Sequence, residues 1–216
     1  MRILFIGNSH TYFNDLPGVF RAICRDRGRD VETDSVTKGG YTFAHFLSEK
    51  NETGRQVRAR LAGPRYDYVV LQEQTVYPIT APHTFRRGAA RLCELVRENG
   101  AVPVLYETLA RRDGNEILLK NGWTHESMQE QLREAYRLAA VENGALLVLA
   151  GDAASRAYRG DAGDTVYCED GGHPSAVATA IFAEAFYKVL FGTETSPEKA
   201  LGQADPSPEQ KKELEK

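Results

Sequence analysis

Two short segments far apart in the chain, Gly7-Asn8-Ser9-His10-Thr11 and Asp170-Gly171-Gly172-His173-Pro174, hold the residue types that nucleophilic catalysis needs. A serine hydroxyl is a weak nucleophile until a neighbouring base takes its proton, and that base works best when a third group fixes its tautomer. Ser9 follows the apolar run Ile3-Leu4-Phe5-Ile6, where a turn after a buried strand can expose its hydroxyl. Asp170 precedes His173 in a glycine-rich stretch, so one short turn can bring the carboxylate onto the imidazole. Ser9 as nucleophile, His173 as base and Asp170 as orienter make a serine hydrolase that needs no cofactor.

Each residue has a plainer reading beside this one. A serine after a strand commonly caps a helix, and an Asp and His in a glycine-rich turn can cap the helix that follows. The Ser9 segment is not a Gly-x-Ser-x-Gly elbow, because Thr11 stands where the last glycine would be. Gly7 opens neither a dinucleotide fingerprint nor a phosphate-binding loop, since the further glycines and the lysine are missing. His10 adjoins Ser9 as a pocket-wall or cap residue. With Asp170 and His173 it could in principle ligate a metal, but no paired-His helix or clustered Cys supports one. Tyr106 and Glu107, Tyr77, and Trp123 after Asn121-Gly122 are candidate walls of a substrate cleft, with strand capping or loop packing as the alternatives.

These residues need a scaffold that brings both ends of the chain to one edge. Short apolar runs at 2–7, 67–72, 101–106 and 145–150, and a less apolar one at Val31–Val36, read as strands buried on both faces. Helical periodicity lies between them, in Leu16, Val19, Phe20 and Ile23 after a cap at Asn14 or Asp15, and in Phe85, Ala89, Leu92 and Val96. It returns in Met128, Leu132, Tyr136 and Ala139, and in Val177, Ile181, Phe182, Phe186 and Val189. Gly28, Gly100, Gly144 and Gly192 follow these helices as C-terminal caps, and Pro174 suits the first turn of the last one. Repeated strand-helix units predict a three-layer α/β/α domain, flavodoxin-like in outline, with about five parallel strands. Ligands bind such sheets beyond the carboxyl ends of the strands, where Ser9 emerges.

Gly-Asn-Ser after the first strand, combined with Asp-x-x-His-Pro before a long final helix, resembles the SGNH (GDSL-like) hydrolases. The resemblance covers residues 1–192 and implies a serine esterase working through an acyl-enzyme. It assigns the nucleophile to Ser9, the base to His173 and the orienter to Asp170. Gly40, in Lys38-Gly39-Gly40-Tyr41-Thr42, matches the glycine whose N–H donates to the oxyanion. In the third block the family's Gly-x-Asn-Asp is replaced by Leu71-Gln72-Glu73-Gln74-Thr75. The asparagine aims a neutral N–H at the developing charge, a donor worth about 3–4 kcal/mol. Gln74 offers the same amide, with Gln72 as the alternative register, while Glu73 suits a polar loop or a structural ion pair. The family's carbohydrate-active members suggest O-acetyl groups on saccharides as substrate. Lysophospholipid or thioester hydrolysis stays open, as does a non-catalytic binding module, the reading that the altered third block motivates.

Composition sets the outer limits. The 216 residues fit one domain at 1–192, followed by a polar tail at 193–216 poor in apolar residues. A net charge of −3 leaves no basic field for nucleic acid. Cys24, Cys93 and Cys168 suggest no disulfide framework; the first two suit the core, and Cys168 could line a pocket. No apolar run reaches the length of a membrane span, and no signal-like segment is evident, so the expected compartment is cytoplasmic. The expected partner is a small-molecule or saccharide ester; oligomeric state is not legible.

Overall fold

The computed structural model describes residues 1–192; the tail expected at 193–216 lies outside the described residues. Five strands, β1 (Arg2–Gly7), β2 (Glu32–Thr37), β3 (Tyr68–Leu71), β4 (Val102–Tyr106) and β5 (Leu146–Val148), form one parallel sheet in the order β2-β1-β3-β4-β5. The helices are α1 (Ser9–Tyr12), α2 (Leu16–Asp26), α3 (Phe43–Leu47), α4 (Glu52–Ala62) and α5 (Tyr77–Thr80), then α6 (Pro82–Glu98), α7 (Glu116–Asn121), α8 (His125–Glu142), α9 (Ala150–Arg159) and α10 (Ala176–Phe191).

The pleat of β1 sorts the core into two layers. Leu4 and Ile6 join Phe43, Val57, Phe85, Leu92 and Tyr136 from α3, α4, α6 and α8. Ile3 and Phe5 join Phe20, Ala154, Phe182 and Phe186 from α2, α9 and α10. A strand buried on both faces must be apolar throughout, which is why Ile3-Leu4-Phe5-Ile6 is uninterrupted. Each such side chain contributes about 1.5–3 kcal/mol when fully buried. The expected three-layer α/β/α architecture is therefore present.

The chain runs from β1 outward to β2, then returns across β1 to β3. Strand order thus reverses at the carboxyl end of β1, and the loops after β1 and β3 diverge there to leave a crevice. Two local expectations are corrected. Pro174 lies before α10, bridged to Tyr167, and Ser175 caps the helix by accepting from Val177 N and Ala178 N. Gly192 ends α10 in an extended conformation, φ −64°, unlike Gly28, Gly100 and Gly144, whose φ values are positive.

Candidate active site

Ser9 is set by a clamp beneath it. Asn8 N donates to Gln72 Oε1 at 2.8 Å, and Thr11 Oγ1 donates to the same oxygen at 2.9 Å. Gln72 Nε2 returns a bond to Asn8 Oδ1 at 2.9 Å and another to Glu73 O. Gly7 leaves room for this close approach: a Cβ there would sit 2.2 Å from Thr11 Oγ1 and 2.7 Å from Gln72 Oε1. Asn8 Nδ2 donates to Tyr41 O at 3.0 Å, tying the loop after β1 to the loop after β2 that carries Gly40. Gly40 takes φ +71°, a conformation suited to glycine.

The C-terminal block is equally constrained. Asp170 Oδ1 accepts from Gly172 N at 2.8 Å and His173 N at 2.9 Å, while Gly171 turns the chain with φ +61°. Arg112 N donates to Gly171 O at 2.9 Å, and Cys168 N to His173 O at 2.9 Å. Asn14 joins the two ends of the sequence: its Nδ2 donates to Pro174 O at 2.9 Å and Thr179 Oγ1 at 3.1 Å. It does so from φ +54°, a left-handed conformation that asparagine tolerates better than most residues.

These loops bring the three expected residues into one chain of hydrogen bonds. Ser9 Oγ lies 2.9 Å from His173 Nε2, and His173 Nδ1 lies 2.5 Å from Asp170 Oδ2. A carboxylate can only accept, so Nδ1 carries the proton and Nε2 is left to accept from the serine hydroxyl. Burial alone would raise the Asp170 carboxyl. The His173 backbone N–H, its ring and the Gly172 N–H outweigh that and hold it well below the usual carboxylate range. Phe13 stacks on the His173 ring at 4.4 Å and 11°, restricting its rotation.

Three N–H donors sit at this edge without a protein acceptor among the described residues: the backbone N–H groups of Ser9 and Gly40, and Gln74 Nε2, whose amide oxygen accepts from Val76 N at 3.0 Å. Gln72 is corrected. It is fully buried with both amide atoms committed to the clamp, so it cannot reach an oxyanion. Among the described residues Glu73 makes no ion pair; its carboxylate accepts from Phe43 N at 3.0 Å and Gln74 N at 2.6 Å, capping α3. Burial pushes that carboxyl up to about 7, against the lowering effect of those two N–H groups.

Tyr106 and Glu107 are also corrected, since both are fully buried. Tyr106 OH donates to His10 O at 3.1 Å, propping the Ser9 segment from below. Glu107 accepts from Asp152 N at 2.9 Å in the first turn of α9, and burial, followed by the Asp152 charge, pushes its carboxyl well above the ordinary carboxylate range. His10 is buried, with Nε2 3.2 Å from Thr75 Oγ1. Burial first, then Arg111 and His173, keeps it well below the ordinary imidazole range, so it is a neutral wall. Tyr77 is half-buried at the start of α5, and Trp123 packs partly buried on the cluster between β3, α6 and α8. Cys168 Sγ donates to Pro174 O. A cavity of about 440 Å³ lies beside the Asp170 loop, bordered by Arg112, Asn115, Ile117 and Gly171. Asp15, not Asn14, caps α2 by accepting from Gly18 N; the stacking of Phe13, the bonds of Asn14 to Pro174 and Thr179 and the clamp role of Gln72 have no signal in the sequence beyond proximity to Ser9 or to its neighbouring strand end.

A candidate SGNH hydrolase from Slackia heliotrinireducens is similar to this chain over 87% of its length and 97% of the other, with 34% identity and a TM-score of 0.77. The chain belongs to the SGNH (GDSL-like) hydrolase superfamily. A DUF4886 family protein from Bacteroides uniformis shares the fold at 17% identity and a TM-score of 0.72, over 97% of this chain and 87% of that one. So does a variant of a Geobacillus acetyl-xylooligosaccharide esterase, at 17% identity and a TM-score of 0.58, over 94% of each chain. Neither family models nor curated proteins give a match. Within this superfamily the chain is a hydrolase by fold and kinship. No helix among the described residues is long and apolar enough to cross a membrane.

Proposed function

We propose that the chain is a serine esterase acting through Ser9, His173 and Asp170. The observation that carries the reading is the continuous relay from Ser9 Oγ to His173 Nε2 and from His173 Nδ1 to Asp170 Oδ2. His173 takes the hydroxyl proton as Ser9 Oγ bonds to the ester carbonyl carbon, giving a tetrahedral oxyanion. Asp170 stays ionised and stabilises the imidazolium. The oxyanion is held by Ser9 N–H, Gly40 N–H and Gln74 Nε2, donors free in the resting site. Collapse breaks the bond to the alcohol, whose oxygen receives the proton from His173. Water then repeats the sequence on the acyl-enzyme, releasing the acid and restoring Ser9.

The substrate we favour is a small O-acyl group, acetyl on a saccharide being the example that the acetyl-xylooligosaccharide esterase suggests. The half-buried Tyr77 and Trp123 are the proposed sugar-facing surfaces. Hydrolysis of aryl acetates by wild type and Ser9→Ala tests the reading. Turnover should fall by about four or more orders of magnitude when the nucleophile is removed. A folded Ser9→Ala protein that hydrolyses these esters normally would sink it.

A further inference from the structure

Arg111 is the charge beside the triad that the esterase mechanism leaves unused. Its guanidinium lies against the peptide just before His173, for a Cβ added to Gly172 would sit 2.3 Å from Nη1. Its Nε is buried without an acceptor. Among the described residues no carboxylate lies within 4.0 Å of the group, although Asp170 is close enough to favour its charge. The terminal nitrogens also have no protein acceptor among the described residues, yet they are not sealed from solvent as Nε is. The buried His10 ring lies on the same side of the triad, its centroid 5.9 Å from that of His173 and close to the Gly172 backbone. A largely buried ion with no direct ion pair opposes folding, and because the nearby Asp170 carboxylate is already engaged by His173, a ligand carboxylate can supply the missing partner. The planar fork of an arginine fits a carboxylate through two parallel hydrogen bonds.

Position then decides which part of the substrate meets it. His173 hands its proton to the departing alcohol oxygen, so the alcohol lies on the His173 side, where Gly172 and Arg111 are. The acyl oxygen is drawn instead toward the N–H groups of Ser9 and Gly40. We propose that Arg111 binds a carboxylate carried by the alcohol part of the ester, making the protein selective for esters of acidic alcohols, acidic saccharides among them. This rests on the esterase reading above and adds to it the residue that sets specificity.

The test compares 4-acetoxybenzoate with its neutral carboxamide in wild type, Arg111→Lys and Arg111→Met. Wild type should prefer the carboxylate, and the ratio of the two kcat/KM values should fall about 30-fold in Arg111→Met, with partial recovery in Arg111→Lys, as expected for a charge-assisted pair. A wild-type protein that does not prefer the carboxylate, or a ratio that stays the same in Arg111→Met, overturns the proposal. So does an Arg111→Met protein that melts far below wild type while losing both substrates alike, because Arg111 is then a structural prop. A second arm needs no turnover: calorimetric titration of Ser9→Ala, with and without Arg111→Met, using the same two compounds. Tighter binding of the carboxylate that disappears with Arg111 supports the proposal, and equal binding overturns it. Wild type inert toward both esters would sink the esterase reading alone, leaving the calorimetry to decide Arg111.

Discussion

Replacing Gln72 with methionine keeps the length of the side chain and removes the amide that clamps the Ser9 loop. Four hydrogen bonds are lost at a fully buried position: from Asn8 N, from Thr11 Oγ1, to Asn8 Oδ1 and to Glu73 O. A buried polar group left without a partner costs about 1–3 kcal/mol. Asn8 Oδ1 keeps its bond from His10 N, and the Thr11 hydroxyl can rotate, so the losses are not additive. We expect a destabilisation of about 3–5 kcal/mol, or roughly 10 °C in Tm for a domain of this size. The Ser9 backbone should shift with its clamp, so kcat on aryl acetates should also fall. Gln74→Ala supplies the contrast. Its side chain makes one bond, to Val76 N, so Tm should move by no more than a few degrees, while turnover falls by about two to three orders of magnitude. Thermal unfolding followed by circular dichroism, run beside steady-state kinetics, reads both quantities. A Gln72→Met protein that melts and turns over like wild type would refute the clamp. Unchanged turnover in Gln74→Ala would remove its amide from the oxyanion site.

Asn14→Ala should cost about 2 kcal/mol, through two lost hydrogen bonds and a left-handed backbone that alanine resists; kcat should fall more than KM rises, measurable in the same assays. Asp170→Asn should lower kcat by about four orders of magnitude with the fold retained, since an amide can hold the imidazole in the wrong tautomer; near-normal rates would contradict the orienting role. Glu73 is protonated up to about pH 7 in the folded protein, whereas its unfolded carboxyl ionises near 4.5. The unfolded state therefore binds fewer protons between those values, and stability should decline as pH rises through that window, by about 3 kcal/mol. Glu73→Gln should flatten that slope in denaturant titrations across the window.

The parts of this molecule legible in the sequence are those with a periodic or chemical signature. The unbroken apolar run of β1 and the spacing from Asp170 to His173 announced the buried strand and the carboxylate-imidazole pair. α9 was less legible because its core contacts are small: Ala150, Gly151 and Ala154 pack against the sheet, and a Cβ on Gly151 would meet Thr108 O at 2.1 Å. Such a helix has no large-residue stripe to find, and it begins where the run at 145–150 still reads as strand. Tyr106 and Glu107 occupy the functional edge of the sheet, yet face inward. Alternation along β4 alone does not reveal that a tyrosine hydroxyl finds a carbonyl beneath Ser9, or that a carboxyl finds a helix N-terminus. Gln72 and Gln74 are chemically identical two residues apart, so their different tasks are decided by tertiary contact with Asn8 and Thr11.

Hydrolysis by the proposed route passes through a covalently acylated Ser9. The most direct measurement is intact-mass and peptide-mapping analysis after reaction with a fluorophosphonate, which phosphonylates an activated serine with loss of fluoride. An activated Ser9 gives one adduct per chain, carried by the peptide containing Ser9, absent in Ser9→Ala and strongly slowed in His173→Ala. An adduct on another residue, or a wild-type chain that stays unmodified while it hydrolyses aryl acetates, would contradict that route.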